Sequence, residues 1–242
     1  ITLGLEGTSA TESIGVRVGE LALASYIETS GSQFMLDGKP WYFNGTNQYY
    51  LMYKPEAMAE DVFKRAEVTG MNAIRTWMFC NDTKTHDGVC INMKSGNSFI
   101  LSKEPSERTE GEQAIIDRSF ELFDNYVALA AEKDMRLILS LADEWPYFGT
   151  IGDYGGYTSA EGRVNFKAFI TNLLNHTNQI TGVKYKDDPT IMMWELANEP
   201  RISAGFSDWV DDIATHLKSI SPNHLVSIGM ESSFDFNGSG DN

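Results

Sequence analysis

The sequence predicts an α/β fold of the (β/α)8 TIM-barrel type, with about the first five β/α units present. Three observations carry that prediction. Short apolar runs of strand length alternate five times with runs of helical period. The returns before each strand are short and the loops after it long, an asymmetry that parallel barrels show because their functional loops leave the C-terminal ends of the strands. Polar groups also gather where each strand ends. A doubly wound open sheet is the alternative, and FNGTNQYY weakens it by offering one glycine where a G-x-G-x-x-G phosphate turn is needed.

Residues 1–32 read as a leader or wrapping segment ahead of a domain spanning 33–242. In QFMLDGKPWYF the pair Asp37-Gly38 marks a tight hairpin. WYFNGTNQYY then reads as an aromatic strand ending in polar groups. EAMAEDVFKRAEVTG follows as a helix with Met58, Val62, Phe63 and Ala66 inward and Gly70 as its cap. MNAIRTW is the second strand and residues 78–111 a long loop, followed by a helix with Ile116, Phe120, Phe123, Val127 and Ala130 in one stripe. MRLILSL, continuously apolar, is a strand covered on both faces. RVNFKAFITNLLNHT is a helix with Val164, Phe166, Phe169, Ile170 and Leu173 inward. TIMMWELANEP is the fourth strand, SDWVDDIATHLKSI a helix capped by Ser207, and HLVSIGME the fifth strand.

Composition narrows the function. The chain has 242 residues with 34 acidic and 19 basic side chains, a formal charge of −15. Such a surface repels phosphate backbones and anionic lipid, so nucleic acid and membranes are excluded as partners and a neutral polysaccharide fits. No run approaches the roughly 20 apolar residues a membrane helix needs. The N-terminus lacks an initiator Met, a basic start and an apolar core, which suggests a trimmed, secreted chain. Cys80 and Cys90, ten positions apart in a polar loop, form either a local disulfide or two free thiols; no zinc set accompanies them. Sequons begin at Asn81, Asn175 and Asn237. The four histidines are expected to be solvated, on loops or helix surfaces.

The strand ends carry the chemistry. The first supplies Asn44, Thr46, Asn47 and Tyr49, the second Arg75 and Trp77, and the third Asp143, Glu144 and Trp145. The fourth adds Asn198, Glu199 and Arg201, and the fifth Glu231. In a barrel these groups converge on one rim. Carboxylates, amides and aromatic faces are what sugar chemistry demands, because a pyranose has apolar faces and a rim of hydroxyls. Glycosidic cleavage needs two carboxyl groups flanking the bond.

WELANEPR, together with WYFNGTNQYY, MNAIRTW, the Trp145 loop and HLVSIGME, resembles the retaining glycoside hydrolases of family 5 in clan A, most closely their endo-β-1,4-mannanases. The resemblance covers residues 33–234. It implies that Glu199 is the general acid/base, that Asn198 bonds the sugar 2-OH, and that Arg75 orients the nucleophile. It further implies that Trp77 and Trp145 are aromatic walls, and that Arg201 and Glu231 are polar groups on the leaving-group side; Asn47 and Tyr49 join the binding set from the first strand. No cofactor or metal is implied. Glu195 shares strand parity with Glu199 and reads as a buried structural carboxylate.

The family's nucleophile is a second glutamate at the end of the seventh strand, beyond the five units found here. The expectation is therefore a C-terminally incomplete mannanase, inactive by itself and completed by a complementary C-terminal fragment. A family 5 β-1,4-glucanase is the alternative enzyme, and a non-catalytic glycan-binding remnant the alternative of another class.

Overall fold

The structure is a computed structural model that describes residues 25–231; most of the expected leader and the sequon at Asn237 lie outside them. Strands β1 (Glu28–Ser30), β2 (Gln33–Leu36) and β3 (Lys39–Trp41) form an antiparallel sheet. Its β2–β3 turn has Asp37 and Gly38 both at positive φ, the conformation a two-residue I′ turn requires. β1 lies within the segment expected to be a leader. The chain then runs through β4 (Gly45–Asn47), α1 (Glu56–Val68), β5 (Ala73–Trp77), the small hairpin β6 (Lys94–Ser95) and β7 (Ser98–Phe99), and α2 (Glu110–Glu132). It continues with β8 (Arg136–Ser140), α3 (Ala160–Leu174), β9 (Ile191–Glu195), α4 (Phe206–Ile220) and β10 (Leu225–Ser227).

β4, β5, β8, β9 and β10 form one parallel sheet in that sequential order. Unbroken sequence order is the winding of a (β/α) barrel, whereas a doubly wound sheet reverses direction at a switch point. Among the described residues the sheet does not close. Its two faces differ accordingly. Ile74, Leu137, Leu139 and Trp194, on the helix-covered face, are fully buried, while Arg75, Ile138 and Met193, on the other, are half-buried.

The stripe expected on α2 is buried in full. Thr109 caps this helix by accepting from the Glu112 amide, and the Glu112 carboxylate accepts from the Thr109 amide in return. Several expectations are corrected. The long aromatic first strand is three residues, because Trp41 is held in the hairpin and Tyr49 opens a short 3-10 turn. Gly45 permits its tight seat, since a Cβ there would lie 2.7 Å from the Ala73 carbonyl oxygen. Met58 and Val164 are exposed, and Ala59 takes the inward place on α1. Ser207 is not the cap of α4. Gly205, at φ +80, precedes the helix, and a Cβ on it would press within 2.8 Å of the Thr158 side chain.

The histidines are corrected as a group. His86 pairs with Asp82 at 3.0 Å, His176 with Asp124 at 3.1 Å, and His216 with the Thr171 hydroxyl at 3.0 Å. His224 is wholly buried. Cys80 and Cys90 are joined as a disulfide, which settles that alternative. Asn81 is 2% exposed and donates its amide to the Thr150 carbonyl at 3.0 Å, so this sequon is closed to modification. Asn175 is exposed. No helix among the described residues is long and apolar enough to cross a membrane.

Candidate active site

The C-terminal ends of β4, β5, β8 and β9 bring the expected polar residues together. The register places Asn47 beside Arg75 and Ser140 beside Glu195, and Arg75, Ser140 and Glu195 share the half-covered face. Arg75 is the hub. Its Nε donates to Glu195 Oε1 at 3.1 Å, its Nη1 to Asn47 Oδ1 at 3.1 Å and its Nη2 to Asn198 Oδ1 at 2.8 Å. Nη2 also donates to Glu195, as does the Ser140 hydroxyl. Glu195, 6% exposed, is thus a buried carboxylate satisfied by a guanidinium and a hydroxyl, the arrangement a buried charge requires.

Asn198 is fixed from both sides. While Oδ1 accepts from Arg75, Nδ2 donates to Asp143 Oδ1 at 2.9 Å. Its backbone N–H reaches the Ala142 carbonyl and its carbonyl accepts from the Glu144 amide. Burial pushes the Asp143 carboxyl above the usual carboxylate range, against the Asn198 hydrogen bond that lowers it. Glu144 accepts from the Tyr157 hydroxyl at 2.8 Å. Burial, followed by the neighbouring Glu144 carboxylate, raises the Tyr157 phenol above its ordinary value and keeps it a donor.

Glu199 leaves this framework at φ +53, a left-handed conformation unusual for a residue with a side chain. What holds it there is the segment just after β10, because the Glu199 amide donates to the Gly229 carbonyl at 3.0 Å. Gly229 itself sits at φ +90, and a Cβ there would lie 1.9 Å from the Ala197 carbonyl oxygen and 2.7 Å from the Glu195 side chain. The turn aims the Glu199 carboxylate at Trp145, whose indole Nε1 donates to Oε2 at 2.7 Å. Trp145 keeps 39% of its surface open. Arg201 lies over the Trp145 ring at 5.4 Å and pairs with Glu231 at 2.6 Å, so the two residues expected on the leaving-group side sit together.

Trp77 is 8% exposed. Its ring packs 5.1 Å from both Tyr49 and Phe79, which cover much of the surface expected to form a wall. With Tyr49, His86, Tyr147 and Phe148 it lines a cavity of about 390 Å³. Sequence reasoning missed four contributors here. Tyr147 and Phe148 had a signal, the aromatic run WPYF after the third strand. His86 had a weaker one, its place inside the disulfide loop. Gly229 had none, because a glycine near a strand end does not announce which carbonyl it must pass. Among the described residues no group of three or more His, Cys, Asp or Glu side chains is placed to hold a metal ion.

Comparison with known proteins follows the same lines. Residues 123–240 match the family model described as GH family 5 beta-mannosidase-like. Mannan endo-1,4-beta-mannosidase 2 of Oryza sativa subsp. japonica is 33% identical, over 85% of this chain and 47% of its own length. Mannan endo-1,4-beta-mannosidase 1 of Solanum lycopersicum is 32% identical, over 87% of this chain and 54% of its own. The crystal structure of the endo-1,4-beta-mannanase from Rhizomucor miehei superposes with a TM-score of 0.73 at 35% identity, over 90% of this chain and 64% of that one. The chain thus spans about half the length of the curated relatives it matches. The resemblance to glycoside hydrolase family 5 that the motifs carry is borne out, as is a (β/α)-barrel type of sheet.

Proposed function

We propose that, within this family 5 likeness, the chain supplies the acid/base side of an endo-acting, retaining β-1,4-mannanase that acts on mannan or glucomannan. The observation that carries the reading is the placement of Glu199. It stands at the sheet's C-terminal rim in a left-handed turn, bonded to a half-open tryptophan and next to an asparagine clamped by Arg75 and Asp143.

The geometry divides the work among these groups. Trp145 offers an apolar face on which a pyranose stacks, and its N–H restrains the carboxylate oxygen that faces it. Glu199 in its acid form protonates the departing glycosidic oxygen and afterwards, as a carboxylate, takes a proton from the attacking water. Asn198 has one Nδ2 hydrogen committed to Asp143, which leaves the other for a sugar hydroxyl. Arg201 and Glu231 give the leaving-group side a donor and an acceptor at one place. We assign Glu195 a structural role, because its carboxylate is buried and its bonds go to Ser140 as well as to Arg75. The covalent step therefore draws its carboxylate from a complementary C-terminal segment, for which the retaining mechanism has a fixed need. Secretion is part of the proposal, supported by the Cys80–Cys90 disulfide.

The purified 242-residue chain, titrated with mannohexaose in a calorimeter, is expected to bind it, to lose that cleft binding on Trp145→Ala, and to release no reducing ends from β-mannan. Clear turnover abolished by Glu199→Gln would overturn the missing-carboxylate reading. Preference for cello-oligosaccharides over manno-oligosaccharides would replace the substrate by a β-1,4-glucan.

A further inference from the structure

Asn-x-Ser/Thr triplets begin at Asn44, Asn81, Asn175 and Asn237, and all but the last fall within the described residues. Each is an acceptor for N-linked sugar in a chain that enters the secretory route, provided the folded protein leaves its amide room. We infer that Asn175 is a glycosylation site of the folded protein, and that Asn81, which carries the same signal, is not. This needs the secretory route proposed above and nothing of the mannan cleft.

The transfer itself separates the two. The asparagine Nδ2 attacks the anomeric carbon of a polyprenyl-diphosphate-linked oligosaccharide. An N–C bond forms as the C–O bond to the diphosphate breaks, the diphosphate leaves with the electron pair, and the amide gives up one proton. A glycosylated amide therefore keeps a single N–H. Asn175 is exposed, ends α3 as its C-cap and donates Nδ2 to the Thr171 carbonyl at 2.8 Å. One hydrogen serves that bond, and the other can be replaced by sugar without loss. Asn81 uses Nδ2 twice, toward the Thr150 carbonyl at 3.0 Å and Asp153 Oδ2 at 3.3 Å, and it is 2% exposed. Room is lacking as well, since even a Cβ on Gly149 would lie 2.5 Å from Asn81 Cγ. A sugar on Asn81 would break a buried bond and displace the turn at residues 149–153.

The middle residue of the Asn175 triplet anchors it. The His176 ring lies flat on Phe120 with 3.6 Å between centres, and its Nε2 is 3.1 Å from Asp124, so the triplet is held to the surface of α2 with Asn175 outward. The surroundings of Asn175 are also complete. α3 is flanked by α2 through His176 and by α4 through the Lys167–Asp212 pair, so the exposure does not come from an open sheet edge. Asn44 differs, because it precedes β4, the outermost strand of the parallel sheet, and its exposure depends on what pairs with that edge. Finally, α3 connects the parallel strands β8 and β9 and so runs back from the rim, which places its C-terminal end on the side opposite Glu199. A glycan on Asn175 leaves the cleft open.

The test expresses the full 242-residue chain behind a cleavable secretion signal in a eukaryotic host. The folded, protease-resistant fraction, secreted or microsomal, is treated with N-glycosidase in heavy-oxygen water, which labels every asparagine that carried sugar, and is mapped by peptide mass spectrometry. Label at Asn175 and none at Asn81 is expected. In the intact mass, Asn175→Gln and Thr177→Ala each remove one glycan, Thr177→Ser retains it, and Asn81→Gln leaves the glycan count unchanged. The two Thr177 variants keep the Asn175 side chain and so decide alone if Asn175→Gln disturbs the end of α3. Enzymatic removal of the glycan is expected to leave mannohexaose affinity, measured by calorimetry, as it was. An unlabelled Asn175, label at Asn81, a Thr177→Ala chain that keeps its full glycan count, or an affinity altered by deglycosylation would overturn the inference. Failure of mannohexaose to bind in either form falls on the mannanase reading and leaves the glycan map standing.

Discussion

Acidification from about pH 7 to pH 5 will weaken the fold through one buried imidazole, His224. It is fully enclosed, with Nε2 donating to the Asp188 carbonyl at 2.9 Å, Nδ1 bonded to the Ser221 hydroxyl, and the Tyr26 and Trp194 rings at 5.1 and 5.8 Å. Both ring nitrogens are satisfied in the neutral form. Burial pushes the pKa down from 6.5 to about 4, opposed by the Asp188 carbonyl and aided by the Lys218 charge. The sign follows directly. The unfolded chain takes up the proton first as pH falls, so the stability His224 contributes is fully present above about 6.5, is lost progressively below it, and levels off below the folded value near 4. At about 1.4 kcal/mol per unit the full loss is about 3 kcal/mol, of which about 2 kcal/mol has gone by pH 5. Asp188 and Asp143 have raised pKa values, with burial the largest cause, and act in the opposite direction. The comparison is therefore between the chain and its His224→Gln variant, by urea unfolding at both pH values. The parent is expected to lose about 2 kcal/mol more than the variant between them. Equal pH slopes in the two proteins would refute the reasoning.

Other changes have defined outcomes. Arg75→Met leaves Glu195 a buried charge without its guanidinium and is expected to cost about 3 to 5 kcal/mol by denaturant titration at neutral pH, whereas Arg75→Met with Glu195→Leu recovers a large part of that. Gly229→Ala, which drives a Cβ into the Ala197 carbonyl, is expected to cost at least about 1 to 3 kcal/mol and to weaken mannohexaose binding at the rim by moving Glu199. Breaking the Cys80–Cys90 bridge by Cys90→Ser frees a short loop and is expected to lower stability by about 2 to 4 kcal/mol. Because that loop carries His86 to the aromatic cavity, oligosaccharide affinity measured by calorimetry should fall with it.

What could be read from the sequence, and what could not, follows the range of the forces involved. The alternation of strands and helices was legible because a helix stripe such as Ile116, Phe120, Phe123, Val127 and Ala130 records its burial locally, at its own period. The polar strand ends were legible for the same reason, since polarity at the end of a buried run has no packing explanation and points to a rim. The failures are all non-local. Met58 and Val164 fit the helical period yet lie outside, because the neighbouring helix, and not the period, determines how wide the buried stripe is. The histidines were misjudged because loop membership says nothing about what folds over a loop. His176 is covered by Phe120 from a helix over fifty residues earlier, and His224 by Tyr26 from the opposite end of the described chain. The same distinction applies inside the site. Glu199 was readable as a carboxylate after a strand, but its orientation is set by Gly229, just past the end of the next strand, and by Trp145 in the loop after the previous one. Residue type is a local property of the motif, whereas aim is a property of three adjacent strands. An acid/base carboxylate needs both, so the motif alone names the group, and the segments leaving the neighbouring strands determine where it points.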